Sequence, residues 1–125
     1  FTGKIPLEQL VELYSRTEVA VCPSLYEGFG FPAAEAMACE VPVIAATGGA
    51  LPEVVGEHMK TGYLVPPRDP EALAKGIDYL IDNPGVRRKM GKEARRRVLA
   101  TFTWENAARE MVNVYEEVIR AHRGL

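Results

Sequence analysis

The stretch VPVIAA, residues 41–46, carries no polar side chain. A strand with one wet face alternates apolar and polar residues, because successive side chains point to opposite sides. An unbroken apolar run of strand length is instead buried on both faces, as in a parallel sheet covered by helices. Two further short β-rich runs accompany it: EVAVCP at 18–23, closed by Pro23, and TGYLVPP at 61–67. Helix formers fill the gaps. PAAEAMACE, opening at Pro32, predicts a helix of about two turns, and TGGALPEVVGE predicts a glycine turn followed by a short helix. Strands alternating with helices imply right-handed crossovers and a Rossmann-like α/β fold, a parallel sheet with flanking helices. Ligands of such sheets bind beyond the carboxyl ends of the strands. The two glycine loops, residues 27–32 and 47–51, are therefore expected to face one crevice.

Helices also open and close the chain. Pro6 followed by Leu7, Leu10, Val11 and Tyr14 at helical spacing predicts a helix over residues 6–16. Asp69 with Pro70 predicts a capped helix whose buried face is Leu73, Ile77, Leu80 and Ile81. Asn83 with Pro84 predicts a second capped helix, running to about Thr101. Thr103 predicts the cap of a third, with Trp104, Ala107, Ala108, Met111, Tyr115, Val118 and Ile119 on one apolar stripe. The 125 residues suit one domain, and 47% apolar with 26% charged residues suits a globular one. A net charge of −2 gives no field to attract nucleic acid. No apolar run approaches the roughly 20 residues of a membrane span. Cys22 and Cys39 lack metal spacing and fall in apolar runs, which predicts two buried, reduced thiols and an intracellular setting. The opening FTGKIP has no basic leader, and FTG resembles the tail of a strand that starts upstream.

The segment YEGFGFPAAEA, residues 26–36, is where chemistry concentrates. Gly28 and Gly30 let another group approach the backbone. The helix expected near Pro32 offers unpaired N–H groups and the positive end of its dipole to an anion. Pro32 removes one donor and leaves the amides of Gly30, Phe31 and Ala33. Glu35, near the first helical turn, and Glu27, before the glycines, suit sugar hydroxyls better than phosphate, since a carboxylate has two acceptor oxygens and no donor. A diphosphate over the loop with hydroxyl-rich groups on either side fits this set. So does a purely structural corner with a dipole-stabilised glutamate. GFGFPA satisfies G-x-G-x-x-A, but PSLYE separates it from its strand and VIAAT ends without an acid, against a dinucleotide site. A glycoside hydrolase carboxylate pair would need an open sugar cleft.

The run PSLYEGFGFPAAEAMACEVPVIAATGGALPEVV resembles the donor-binding half of retaining glycosyltransferases of family 4 (group 1), which have the GT-B fold of two facing Rossmann-like domains. Glu27 and Glu35, with seven residues between them, match the hallmark glutamate pair of that family. TGY before LVPP, RDPEALA, KMGKEAR and FTWENAA follow in the family's order. The resemblance implies one nucleotide-sugar-binding domain over residues 1–125, the C-terminal half of the fold, taking a hexose from a UDP- or GDP-sugar to an acceptor. It implies that Glu27, Gly28 and Phe29 meet the donor sugar and that Gly30, Phe31 and Pro32 hold the phosphate. It implies that Glu35 binds the ribose and that backbone at Lys4 and Ile5 meets the base. No metal or other cofactor is implied. The family's Arg and Lys pair and its N-terminal acceptor domain lie upstream, in cis or trans, so no complete catalytic set and no activity of this chain alone are expected. Where the family commonly has glycine, this chain has Glu40. The family's last helix crosses toward the other domain, which would leave part of the 104–119 stripe exposed; packing on the local sheet is the other reading.

RRKMGKEARRR, residues 87–97, holds seven basic residues, with Met90, Ala94 and Val98 marking a buried side. A solvated helix face is the favoured reading, with a peripheral contact with anionic membrane second and RNA binding last, since the run lacks interleaved aromatics for stacking on RNA. His58 and His122 have no partner cluster and read as surface residues, and Glu53 reads as a residue that caps or orients its short helix, with a ligand role as the alternative. The combined expectation is a cytoplasmic glycosyltransferase donor domain without nucleic acid, either a piece of an enzyme or a non-catalytic nucleotide-binding subunit needing a partner. A plain α/β interaction module is the unrelated alternative.

Overall fold

The computed structural model describes residues 1–124. Three parallel strands, β1 (Ala20–Cys22), β2 (Val43–Ala46) and β3 (Tyr63–Val65), pair in the order β1-β2-β3. Ala20 lies opposite Val43, and Ile44 lies opposite Tyr63. The helices are α1 (Leu7–Ser15), α2 (Phe31–Ala38), α3 (Leu51–Val55), α4 (Pro70–Asp82), α5 (Pro84–Thr101) and α6 (Trp104–Arg123).

The apolar run behaves as its composition requires. All four residues of β2 are buried. Val43 and Ala45 join one core with Ala36 and Met37 of α2, Leu51 and Val55 of α3, and Ala94 and Val98 of α5. Ile44, one residue out of phase, joins a second core with Val65, Leu80 and Met90. The period-2 geometry of a strand thus divides β2 between two helix layers. Helix α2 is apolar nearly all round and buries Ala33, Ala34, Ala36 and Met37.

Capping is half as expected. Asp69 Oδ1 accepts the amide of Ala72 at 2.8 Å, and Thr103 Oγ1 accepts that of Asn106 at 3.2 Å. Asn83, however, caps nothing ahead of it: its Nδ2 donates backward to the carbonyl of Tyr79 at 2.8 Å. The N-cap of α3 is Ala50, and the Glu53 side chain makes no cap. On α4 Leu80 is buried and Leu73 and Ile77 are half-buried, but Ile81 turns to solvent. Cys22 and Cys39 are unpaired and half-buried rather than fully enclosed. Glu40 occupies a left-handed conformation, φ 61°. Its amide donates to Met37 and that of Val41 to Ala36, at 3.1 and 3.0 Å, which closes α2 in a Schellman motif. That geometry is the physical reason a glycine suits the position.

Part of the basic run of α5 is internal scaffolding. Arg87 Nη1 donates to the carbonyls of Leu80 and Ile81 at 2.9 and 3.0 Å, at the end of α4. Arg95 donates to Ala38 at the end of α2, and Arg97 Nε to Val54 near the end of α3 at 3.0 Å. Each guanidinium meets orphan carbonyls at the negative end of a helix dipole. Three of the seven cations are thereby fixed to the protein's own backbone. Among the described residues no helix is long and apolar enough to cross a membrane.

Candidate functional site

The two glycine loops meet, as their positions at the strand ends require. The amide of Ala50 donates to the carbonyl of Glu27 at 2.9 Å. Gly49 has φ 60°, and a Cβ there would stand 2.3 Å from the Glu27 oxygen. Only a bare backbone in the left-handed region fits that corner. Gly30, the N-cap of α2, has φ 93°, and a Cβ on it would strike Leu51 Cδ2 at 2.7 Å. The second loop therefore dictates the shape of the first, by direct contact at Glu27 and Gly30.

This packing sets the exposure of the main chain at the start of α2. Among the described residues neither the Gly30 nor the Phe31 amide has a hydrogen-bond acceptor. Ala33, the third amide expected to be available, is engaged: it donates to the Gly30 carbonyl at 3.0 Å, and Ala34 does so at 3.2 Å. Pro32 stands at the second helical position and its ring is exposed. Gly28 is exposed with open space around it. Phe29 is half-buried and packs edge-on against Phe102 and tilted against Phe31, with centroids 5.3 and 4.9 Å apart.

The two glutamates are held differently. Glu27 is half-buried, and its Oε1 accepts the Ser24 hydroxyl at 2.8 Å, which leaves Oε2 free. Burial, and then the Glu27 carboxylate, push the Cys22 thiol up, so that Cys22 stays protonated beside the site. Glu35 is exposed and is the fifth residue of α2, just past the first turn, because the helix starts at Phe31 rather than at Pro32. Its carboxylate stands beside Tyr14. Burial first, and then Glu35, push the Tyr14 hydroxyl up to about 12, so it is a proton donor throughout the neutral range. That hydroxyl donates to the Pro32 carbonyl at 3.2 Å. Lys4 is exposed and Ile5 half-buried, and no hydrogen bond or ion pair among the described residues joins either to the loops. Ser24 and Tyr14 escaped the sequence reading. The Ser-x-x-Glu spacing was a visible signal for the first; nothing local marked the second.

Two hollows border these residues. One of about 210 Å³ lies over the carboxyl ends of the strands, between Pro23, Ala46 and Val65, with Arg68 at its edge. The other, about 470 Å³, runs between α2 and the α5–α6 turn, lined by Phe31, Glu35, Phe102 and Trp104 among others. The smaller one occupies the ligand position of parallel sheets; the larger is apolar and floored by the aromatic cluster. Among the described residues no three His, Cys, Asp or Glu side chains gather closely enough to hold a metal ion. Gly30 is buried and Phe31 exposed; the arrangement sets two unpartnered amides, the kind of group that suits an anion, between two carboxylates of the kind that suits hydroxyls.

Residues 1–97 match the family described as glycosyl transferases group 1. A relative from Mycolicibacterium hassiacum, MMP alpha-(1->4)-mannosyltransferase, is 45% identical over 112 residues, 90% of this chain and 27% of that protein. The sucrose-phosphate synthase of Thermosynechococcus elongatus superposes with a TM-score of 0.85 at 45% identity, over 97% of this chain and 30% of its own. A variant of S. aureus TarM, solved with fondaparinux, alpha-GlcNAc-glycerol and UDP, superposes at 0.77 with 26% identity, over 84% of this chain and 21% of its own. The chain thus spans less than a third of the length of these proteins. These structural neighbours are glycosyltransferases of the GT-B fold. With the matched residues covering most of the chain, it belongs to the group 1 family of glycosyl transferases.

Proposed function

We propose that this chain is the donor-binding, C-terminal half of a retaining glycosyltransferase of family 4, which takes a hexose from a UDP- or GDP-sugar. The observation that carries the reading is the pair of unpartnered amides at Gly30 and Phe31, at the start of α2 and flanked by Glu27 and Glu35. In this reading the amides and the dipole of α2 hold the diphosphate. The free Oε2 of Glu27 accepts hydroxyls of the donor sugar, next to Gly28 and Phe29, and Glu35 accepts those of the ribose. Backbone at Lys4 and Ile5 meets the base. UDP in the TarM variant fits a nucleotide donor. Leaving-group charge is balanced by amides and by cations from an N-terminal acceptor domain, in cis or trans, with no resident metal. The unpaired thiols of Cys22 and Cys39 fit a reducing, cytoplasmic setting.

A non-catalytic nucleotide-binding subunit is the second reading, favoured by the uncovered face of α6, on which a separate partner chain would dock. Calorimetric titration of the chain with UDP, GDP and their hexose conjugates tests the shared core of both readings. Glu35→Ala is expected to weaken nucleotide binding about tenfold or more, the scale of losing hydrogen bonds to a charged acceptor. Unchanged affinity in that variant overturns the ribose assignment.

A further inference from the structure

The sheet has a free edge at β3, and one side chain covers it. Strand β3 ends the order β1-β2-β3. Along a strand, alternate residues turn their N–H and C=O groups to opposite neighbours. The Val65 carbonyl accepts the amide of Thr47, just past β2, at 2.9 Å, so Leu64 faces outward. Pro66, the next outward residue, has no N–H. The Leu64 amide is therefore the outward donor of β3, and it donates to Nδ1 of His58 at 2.9 Å. His58 is exposed, in the turn between α3 and β3. Its ring is braced edge-on against Tyr63, with centroids 4.9 Å apart. The turn itself is held by bonds in which the imidazole has no part. The Thr61 amide donates to the Glu57 carbonyl at 3.0 Å and the Met59 amide to the Gly62 carbonyl at 2.7 Å. The Thr61 hydroxyl donates to the Val55 carbonyl at 2.7 Å.

We propose that His58 is a proton-operated closure of this edge: the neutral imidazole covers the Leu64 amide, and the protonated one releases it. A neutral imidazole accepts at one ring nitrogen and donates from the other; here Nδ1 accepts, so the proton sits on Nε2. An imidazolium carries N–H at both nitrogens and sets a donor against the Leu64 donor. Protonation and the bond thus exclude each other. The closure is present at high pH and is lost as pH falls through the range in which an imidazole titrates, around pH 6.5. Other charged and titratable groups stand about the turn. Glu57 and Lys60 belong to it and pair with each other at 2.9 Å. Tyr63 lies in β3, with Tyr79 of α4 beside it at 6.2 Å between centroids. Lys89 and Glu93 of α5 share a hollow with Met59 and Lys60. Among the described residues none of these accepts the Leu64 amide. An uncovered N–H on a strand edge is a template for another strand. His58 withholds that template at neutral pH and returns it in acid.

Hydrogen exchange followed by NMR reads the Leu64 amide directly. Its protection factor is measured at about pH 7.5 and about pH 5, on either side of an imidazole titration, in wild type, His58→Asn and His58→Ala. Asparagine carries a side-chain oxygen where histidine has Nδ1, and that oxygen accepts at either pH. Wild type is expected to lose about three- to tenfold of its Leu64 protection at the lower pH, the scale of one hydrogen bond. The Thr61 amide, held by the Glu57 carbonyl, is expected to keep its own protection. His58→Asn is expected to show no change at Leu64 between the two pH values, and His58→Ala to show low protection at both. Wild-type protection that is the same at both pH values overturns the proposal, as does a fall that His58→Asn shares, which would place the titrating group elsewhere. Protection in His58→Ala equal to that of wild type at neutral pH overturns it too. A loss at Leu64 matched by an equal loss at Thr61 means that the whole turn opens, and also overturns it. Should His58→Ala not fold, the comparison of wild type with His58→Asn decides alone.

Discussion

Helices α2 and α6 differ in the opposite sense to their lengths. The eight residues of α2 include four that are buried; the twenty of α6 include none. Helix α2 is apolar nearly all round and lies between the sheet and α5, so almost any orientation would bury it. Helix α6 has a single stripe, and among the described residues that stripe is left exposed: Trp104 is 90% exposed and Val118 61%. The molecule as a whole shows the same imbalance. Its accessible surface is 8535 Å², where a compact protein of 13.8 kDa has about 6,600 Å². The lesson is that a strong amphipathic pattern records the need for a partner, not its presence.

Paired substitutions break the comparison most sharply. Met37→Ala, in the core under α2, is expected to cost about 2–5 kcal/mol in urea unfolding. Met111→Ala on the α6 stripe is expected to stay within about 0.5 kcal/mol. Equal costs would mean that α6 is covered in solution. The ties that hold α2 and its neighbours to α5 come next. Arg97→Met keeps the side-chain stem but leaves the Val54 carbonyl without its donor, and a loss of about 1–3 kcal/mol is expected in the same measurement. Glu40→Gly runs the other way. It relieves a left-handed non-glycine residue at the end of α2, and a gain of about 1 kcal/mol is expected, read as a rise in Tm. An unchanged Tm would mean the strain is already relaxed. The smallest effect is on the α6 surface. Breaking the exposed Arg120–Glu116 pair, 3.1 Å apart, by Glu116→Gln should change stability by no more than about 0.5 kcal/mol. Hydrogen exchange reads the same contrast without mutation, with α2 amides protected and α6 amides exchanging through local opening.

Much of the site was legible because it is local. The spacing of Glu27 and Glu35, the bare backbone at Gly28 and Gly30, and the helix start at Pro32 all lie within nine residues. Both glycine loops leave parallel strands at the same edge, so their meeting followed from topology. The engagement of the Ala33 amide was not legible, since it depends on Gly30 turning its own carbonyl into the helix at φ 93°. Nor were two contacts made from outside the segment: Ser24 reaches Glu27 through the turn after β1, and Tyr14 reaches the Pro32 carbonyl of α2 from a helix earlier in the chain.

The sequence by itself determined the parallel sheet, through the unbroken apolar run of β2, and the helix starts at Asp69 and Thr103, through side chains that cap their own next turn. Only the tertiary structure decided where the arginines of α5 go, why Asn83 turns backward, which thiols and amides stay accessible, and that the longest apolar stripe lies open. The division has one physical cause. Burial periodicity and capping are settled within a few residues of chain, whereas the acceptor of a long side chain and the cover of a helix face are supplied by segments that sequence distance does not reveal.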